Sequence, residues 1–146
     1  MDGGCLTTGW LSLGTLTSVP GCTTAFPIAS GFVLMVGTGS TAGADVLNPN
    51  ELTTAPTTGF PATWVPYYVQ LQNGDVLAYG GTLNGVITAQ AMVFSATTSA
   101  WTSVGSMAQV RGGAMSGILL STGDVLIVGG SDTGTNELAT AEIYHP

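Results

Sequence analysis

Lysine is absent from this sequence, and arginine occurs once, at Arg111, against eight acidic residues, for a net charge of −7. Nucleic-acid binding draws its affinity from Lys and Arg that neutralise phosphates, so that class of partner is excluded. An anionic membrane surface is disfavoured on the same ground. Long hydrophobic runs are missing as well. The longest, such as Phe32 to Val36, fall far short of the roughly 20 residues a spanning helix needs, and no membrane insertion is expected. The opening stretch, MDGGCLTTGW, carries an acid and no basic region, so no signal peptide is expected. Lys, Glu, Arg and Gln, which normally coat helices, are scarce, which argues against a helical fold.

Catalytic and metal-binding residue types are equally sparse. His145 is the sole histidine, second from the end. A Ser-His-Asp or Cys-His arrangement would have to use it, and a terminus is a poor scaffold for a base. Cys5 and Cys22 are the two cysteines. They form either one disulfide or two half-buried thiols, and without a CxxC or Cys/His cluster a zinc site has no support. The loop SDTGTNE gathers Asp132, Asn136 and Glu137. These oxygen ligands suit Ca²⁺, yet their spacing departs from the EF-hand loop and a solvated turn is expected instead. No cofactor or metal is expected, and the chain reads as non-enzymatic.

What the chain does have is glycine, 22 residues of it, with 45% hydrophobic residues and abundant Thr, Ser and Ala. Thr, Val and aromatics favour strands and Gly punctuates them, so the expectation is an all-β fold. One phrase recurs: SGFVLMVGT from Ser30, NGDVLAYGG from Asn73 and TGDVLIVGG from Thr122. Each copy opens on a turn, and Asn73-Gly74 reads as a type I′ hairpin turn, which needs φ > 0 at both centres. Each then runs apolar without alternation, as a strand covered on both faces does. The run ends at Gly80-Gly81 and Gly129-Gly130, while the first copy keeps only Gly37.

Other words keep step. Downstream come ADVLNP from Ala44, AMVFSA from Ala91 and AEIYHP from Ala141. WTSVG follows from Trp101, and its twin WLSLG stands ahead of the first repeat at Trp10. Upstream lie the first hairpin arms, YYVQLQ from Tyr67, AMSGILLS from Ala114 and a stretch near Phe26 to Ile28. One unit is therefore four strands in about 50 residues, the period of a kelch-type propeller blade.

The chain resembles the kelch-repeat family. The likeness rests on the Gly-Gly pairs, on Tyr144 in AEIYHP, on Trp101, and on MAQVRGGA (Met107 to Ala114), which is similar to that family's M-x-x-x-R segment. It is weakest in the first repeat, where Leu52 sits near the place of a tryptophan. The resemblance implies three four-stranded propeller blades, in units 15–58, 59–105 and 106–146, with residues 10–14 as an exchanged outer strand. It also implies architectural roles for Gly80, Gly81, Gly129, Gly130, Tyr144, Trp101 and Trp10. Galactose oxidase is a kelch-like enzyme, but its copper site needs more than one His and a paired Tyr and Cys, so that activity is not implied here.

Three blades fall short of the four to eight that close a ring. The expected solution is oligomerisation: a C2 homodimer forming one six-bladed ring, with the Trp10 strand of each copy completing the other's last unit. Function then reads as a structural or interaction module, with a phage tail or capsid decoration, or another virion or surface protein, as its setting. The low charge and single trypsin-type site at Arg111 fit a virion or an extracellular surface. The alternative is carbohydrate binding through the aromatic cluster Trp64, Tyr67 and Tyr68, whose other reading is packing between units. Arg111 either greets an anionic ligand or forms an internal ion pair with Glu142.

Overall fold

A computed structural model describes residues 22–37, 43–133 and 135–146. Cys5, Trp10 and segment 10–14 lie outside them, and Cys22 opens the first described strand. The described residues form twelve strands and no α-helix. None of their helices is long and apolar enough to cross a membrane.

The strands make three antiparallel sheets in chain order. The first holds β1 (Cys22–Pro27), β2 (Val33–Gly37), β3 (Ala44–Asn48) and β4 (Thr53–Pro56), with a single 3-10 turn at Ala29–Gly31 between β1 and β2. The second holds β5 (Trp64–Gln70), β6 (Val76–Leu83), β8 (Ala91–Ser95) and β9 (Ala100–Ser103), with the short β7 (Val86–Ile87) folded back on the end of β6. The third holds β10 (Gly112–Leu119), β11 (Val125–Ser131) and β12 (Ala141–Tyr144). Within each sheet the main strands pair in sequence order, so every sheet is an up-and-down meander joined by short loops. The all-β expectation holds. Among the described residues the third sheet has three strands rather than four.

The repeated phrase builds the same hairpin in the second and third sheets, but not with the expected turn. Only Gly74 of the Asn73-Gly74 pair has positive φ. The Gly74 amide donates to Leu71 O at 3.0 Å and the Leu71 amide to Asp75 O at 2.8 Å, which makes a type I turn followed by a left-handed glycine. Leu120, Gly123 and Asp124 repeat both bonds at the same distances. The Asn73 side chain explains the choice: its Oδ1 accepts the Asp75 amide at 3.0 Å, an Asx turn that holds Asn73 out of the left-handed region. A pair with both φ values positive occurs instead at Asn84 (53°) and Gly85 (78°), where β6 turns into β7.

Two apolar clusters lie between the sheets. One joins the first and second sheets through Leu34, Val36, Val76, Ala78 and Phe94. The other joins the second and third through Leu77, Tyr79, Val125 and Ile127. In β6 the odd and even residues thus go to opposite neighbours, which accounts for a run with no polar alternation. The register is kept from sheet to sheet: Val33, Val76 and Val125 follow the turn in their strands, and Leu34, Leu77 and Leu126 come next. Leu34 and Leu77 each face the following sheet, while Val76 and Val125 each face the preceding one. The sheets therefore stack head to tail.

Candidate functional site

Arg111 sits at the junction of the second and third sheets and is fully buried. Its Nε donates to Glu142 Oε1 at 3.0 Å, closing an ion pair. Nη1 donates to Gly129 O at 2.8 Å and Thr140 O at 3.0 Å, and Nη2 to Thr140 Oγ1 at 2.7 Å and Gln109 Oε1 at 3.3 Å. A guanidinium has five N–H donors, and all five are engaged. None is left for an anionic ligand. The Arg111 main chain is equally committed: its carbonyl accepts the Gly81 amide at 2.7 Å and its amide donates to Thr88 O at 3.2 Å. The second glycine of the pair thereby bonds the next sheet. Gly81 needs its positive φ of 71°, and a Cβ there would overlap the Val65 carbonyl oxygen.

Trp64 occupies in the second sheet the place that Arg111 occupies in the third. It is fully buried, and its Nε1 donates to Gly80 O at 2.8 Å, as Arg111 Nη1 donates to Gly129 O. The alignment of FPATW (60–64) with MAQVR (107–111) carries this equivalence, a signal that the repeated phrases alone do not reveal. The three aromatics singled out as sugar contacts do not share a surface. Trp64 and Tyr68 face the first sheet, where Tyr68 packs on Phe26 and Trp101 at 5.9 and 6.5 Å between ring centres. Tyr67 faces the third sheet, stacks near Tyr79 at 6.2 Å and donates its hydroxyl to Gly113 O. On the other side, Gln70 Nε2 donates to Pro27 O of β1. The first strand of the middle sheet is thus tied to the first strand of both neighbours.

Titratable groups follow the same architecture. Burial, then the neighbouring Tyr67, pushes the Tyr79 hydroxyl up to about 12. Burial, then Asp75, raises Tyr144 as well. In the second sheet Asp75 Oδ1 accepts the Ala96 amide at 2.9 Å. In the third sheet the matching position is Pro146, which has no N–H, and Asp124 Oδ1 pairs with His145 Nδ1 at 2.7 Å instead. Hydrogen bonds from Thr122 and then His145 hold the Asp124 carboxyl below the usual range. The first sheet has Phe32 and Pro49 at these places, so acceptor and donor vanish together. In the SDTGTNE loop, Asn136 Nδ2 donates to Asp132 Oδ2 at 2.8 Å. Among the described residues, no three His, Cys, Asp or Glu side chains gather to hold a metal ion.

Two unfilled features remain. The far face of the third sheet, on which Leu126 pairs across to both Ile118 and Ile143, is open. Ile118 and Ile143 are each 52% exposed. Between the second and third sheets lies a cavity of about 330 Å³, lined by Leu77, Ala91, Gly105, Met107 and Tyr144 among others.

No protein-family model and no curated protein matches the chain. Among solved structures, it is similar to a fungal alcohol oxidase of the AA5 family, determined in complex with copper. The TM-score is 0.67 at 20% identity, over 91% of this chain and 30% of that one. At that identity the likeness is one of fold, and the chain spans only 30% of the oxidase's length. The expectation of a non-enzymatic chain is overturned by this match, because the shared fold is one that a copper oxidase uses. The sparse histidine content bears on the copper site alone: with one histidine in the chain and no metal-ligating cluster among the described residues, the described side chains do not fit copper.

Proposed function

We propose that the chain is a three-blade segment of a kelch-like β-propeller and that it works as an interaction module whose partner is a second copy of itself. The observation that carries this reading is the open face of the third sheet. Leu126 and Val128 are the register equivalents of Leu77 and Tyr79, which the next sheet covers. They, with Ile118 and Ile143, stand where a fourth sheet would pack, and contiguous apolar faces of this kind mark interaction sites. Head-to-tail stacking makes the complementary surface the Val33 face of a first sheet, and two copies then give six sheets, within the usual range of closed propellers. Light scattering of the purified chain is expected to give the mass of two subunits, and a stable monomer overturns the reading.

A further inference from the structure

We infer that Asn84-Gly85 is a self-modifying site, at which the main chain attacks the Asn84 side chain and the Thr63 hydroxyl promotes the attack. The chain holds two Asn-Gly pairs, Asn73-Gly74 and Asn84-Gly85. Glycine has no Cβ to shield its amide nitrogen, so that nitrogen can close on the side-chain carbonyl carbon of an asparagine before it. In that step the Gly85 nitrogen loses its proton to solvent base and bonds to Asn84 Cγ. The Cγ–Nδ2 bond breaks, and Nδ2 takes up a proton and leaves as ammonia, which closes a five-membered succinimide. Water then opens the ring at either carbonyl and gives aspartate or isoaspartate. One water is consumed for each ammonia released, and nothing is oxidised or reduced.

The fold treats the two pairs in opposite ways. At Asn73 every participant is held. The nucleophile, the Gly74 amide, is bound to Leu71 O at 3.0 Å. The leaving group, Asn73 Nδ2, donates to Asp75 Oδ2 at 2.9 Å, and Oδ1 accepts the Asp75 amide at 3.0 Å. The Asp75 carboxylate also stands beside the place where negative charge would develop, and opposes it. At Asn84 the same atoms are available. Asn84 and Gly85 are exposed at the turn between β6 and β7. Among the described residues, neither the Gly85 amide nor Asn84 Nδ2 has a hydrogen-bond partner.

The remaining atom, Asn84 Oδ1, has the partner that the reaction favours. The Trp64↔Leu83 pairing of β5 with β6 sets Thr63 opposite Asn84. The Asn84 amide donates to Thr63 O at 3.4 Å, and Thr63 Oγ1 donates to Asn84 Oδ1 at 2.5 Å. Attack at Cγ pushes negative charge onto Oδ1, where a hydroxyl donor already in place stabilises it. The site lies within one sheet, so it does not depend on the dimer.

The test is to age the full chain in mildly alkaline buffer and follow ammonia loss by peptide mass mapping. Tyr79 lies between the two pairs, so chymotrypsin delivers them on separate peptides. In the folded chain, conversion at Asn84 is expected to run roughly tenfold or more faster than at Asn73, the scale of the hydrogen bonds that Asn73-Gly74 must first break. In urea the two rates should converge, because both pairs are then plain Asn-Gly. Thr63 is exposed, so Thr63→Val leaves the core intact. That variant is expected to slow Asn84 about fivefold, the worth of one hydrogen bond, without changing Asn73. Thr63→Ser, which keeps the hydroxyl, should restore the rate. Equal rates at the two sites in the folded chain, or faster conversion at Asn73, overturns the inference. A rate at Asn84 that Thr63→Val leaves unchanged overturns the part given to Thr63.

Discussion

Gly81 and Gly31 both have positive φ, at 71° and 79°, but only Gly81 also has no room for a Cβ. Gly31 has nothing within 4 Å, so Gly31→Ala costs only the backbone strain, about 1 kcal/mol. Gly81→Ala adds a collision with Val65 and disturbs the bond to Arg111, and a loss of about 3 kcal/mol or more is expected from urea midpoints. At the Arg111–Glu142 pair, Glu142→Ala strands a fully buried guanidinium, at an expected cost of about 3 kcal/mol. The double variant Arg111→Met/Glu142→Leu should recover much of that loss, since apolar side chains tolerate the site as Trp64 does in the sheet before. Tyr79 sets an alkaline limit. Its folded pKa of about 12 lies above the unfolded value of 10, so its contribution is complete below pH 10 and is lost as pH rises through 12. Tyr79→Phe is expected to flatten stability over that window. Asp124 works at the other end: a depressed carboxyl stabilises above its unfolded pKa and stops doing so as pH falls through the folded one. Carboxyl NMR titration should show Asp124 moving up toward its ordinary value in His145→Ala.

At the scale of the element, the sequence was most readable where one physical demand left one answer. The unbroken runs VLAY and VLIV required cover on both faces, and β6 has it, with Val76 and Ala78 on one side and Leu77 and Tyr79 on the other. β11 shows the limit of that reasoning, because its second face is the open one. A run reports that cover is needed, not who supplies it. The Trp64–Tyr67–Tyr68 cluster was misleading for a related reason: strand alternation sends residues three apart to opposite faces, so aromatics adjacent in sequence part in space. Arg111 and Trp64 were hidden by chemistry, since a cation and an indole look unrelated until both are seen donating to a glycine carbonyl. The turn at Asn73 went to type I because a side-chain acceptor competed with the type I′ geometry its Asn-Gly pair favours. In the first sheet Thr54, and not Leu52, stands at the place of Trp101, since Leu47 pairs with it as Phe94 pairs with Trp101.

At the scale of the molecule, head-to-tail stacking makes the two ends of the array unlike, and the proposed ring dimer would use both. The trailing end offers Leu126, Val128, Ile118 and Ile143 on an open face. The leading end carries Val33, Met35 and Asp45 on the far side of the first sheet, where Met35 is only 5% and Asp45 3% exposed. A six-sheet ring uses each end once per subunit. Two copies could also meet trailing face to trailing face, which would use one end twice and leave the leading end alone. Charge substitutions on the two faces separate these arrangements. Leu126→Glu buries a carboxylate in either interface and is expected to convert the dimer to monomer, at a cost of several kcal/mol of association. Val33→Asp, at a half-buried position, is expected to do the same if the ring forms, because each subunit lends its leading face to the other. Circular dichroism of both variants checks that the sheets survive. A Val33→Asp chain that stays folded and dimeric by light scattering would exclude the ring in favour of a face-to-face pair.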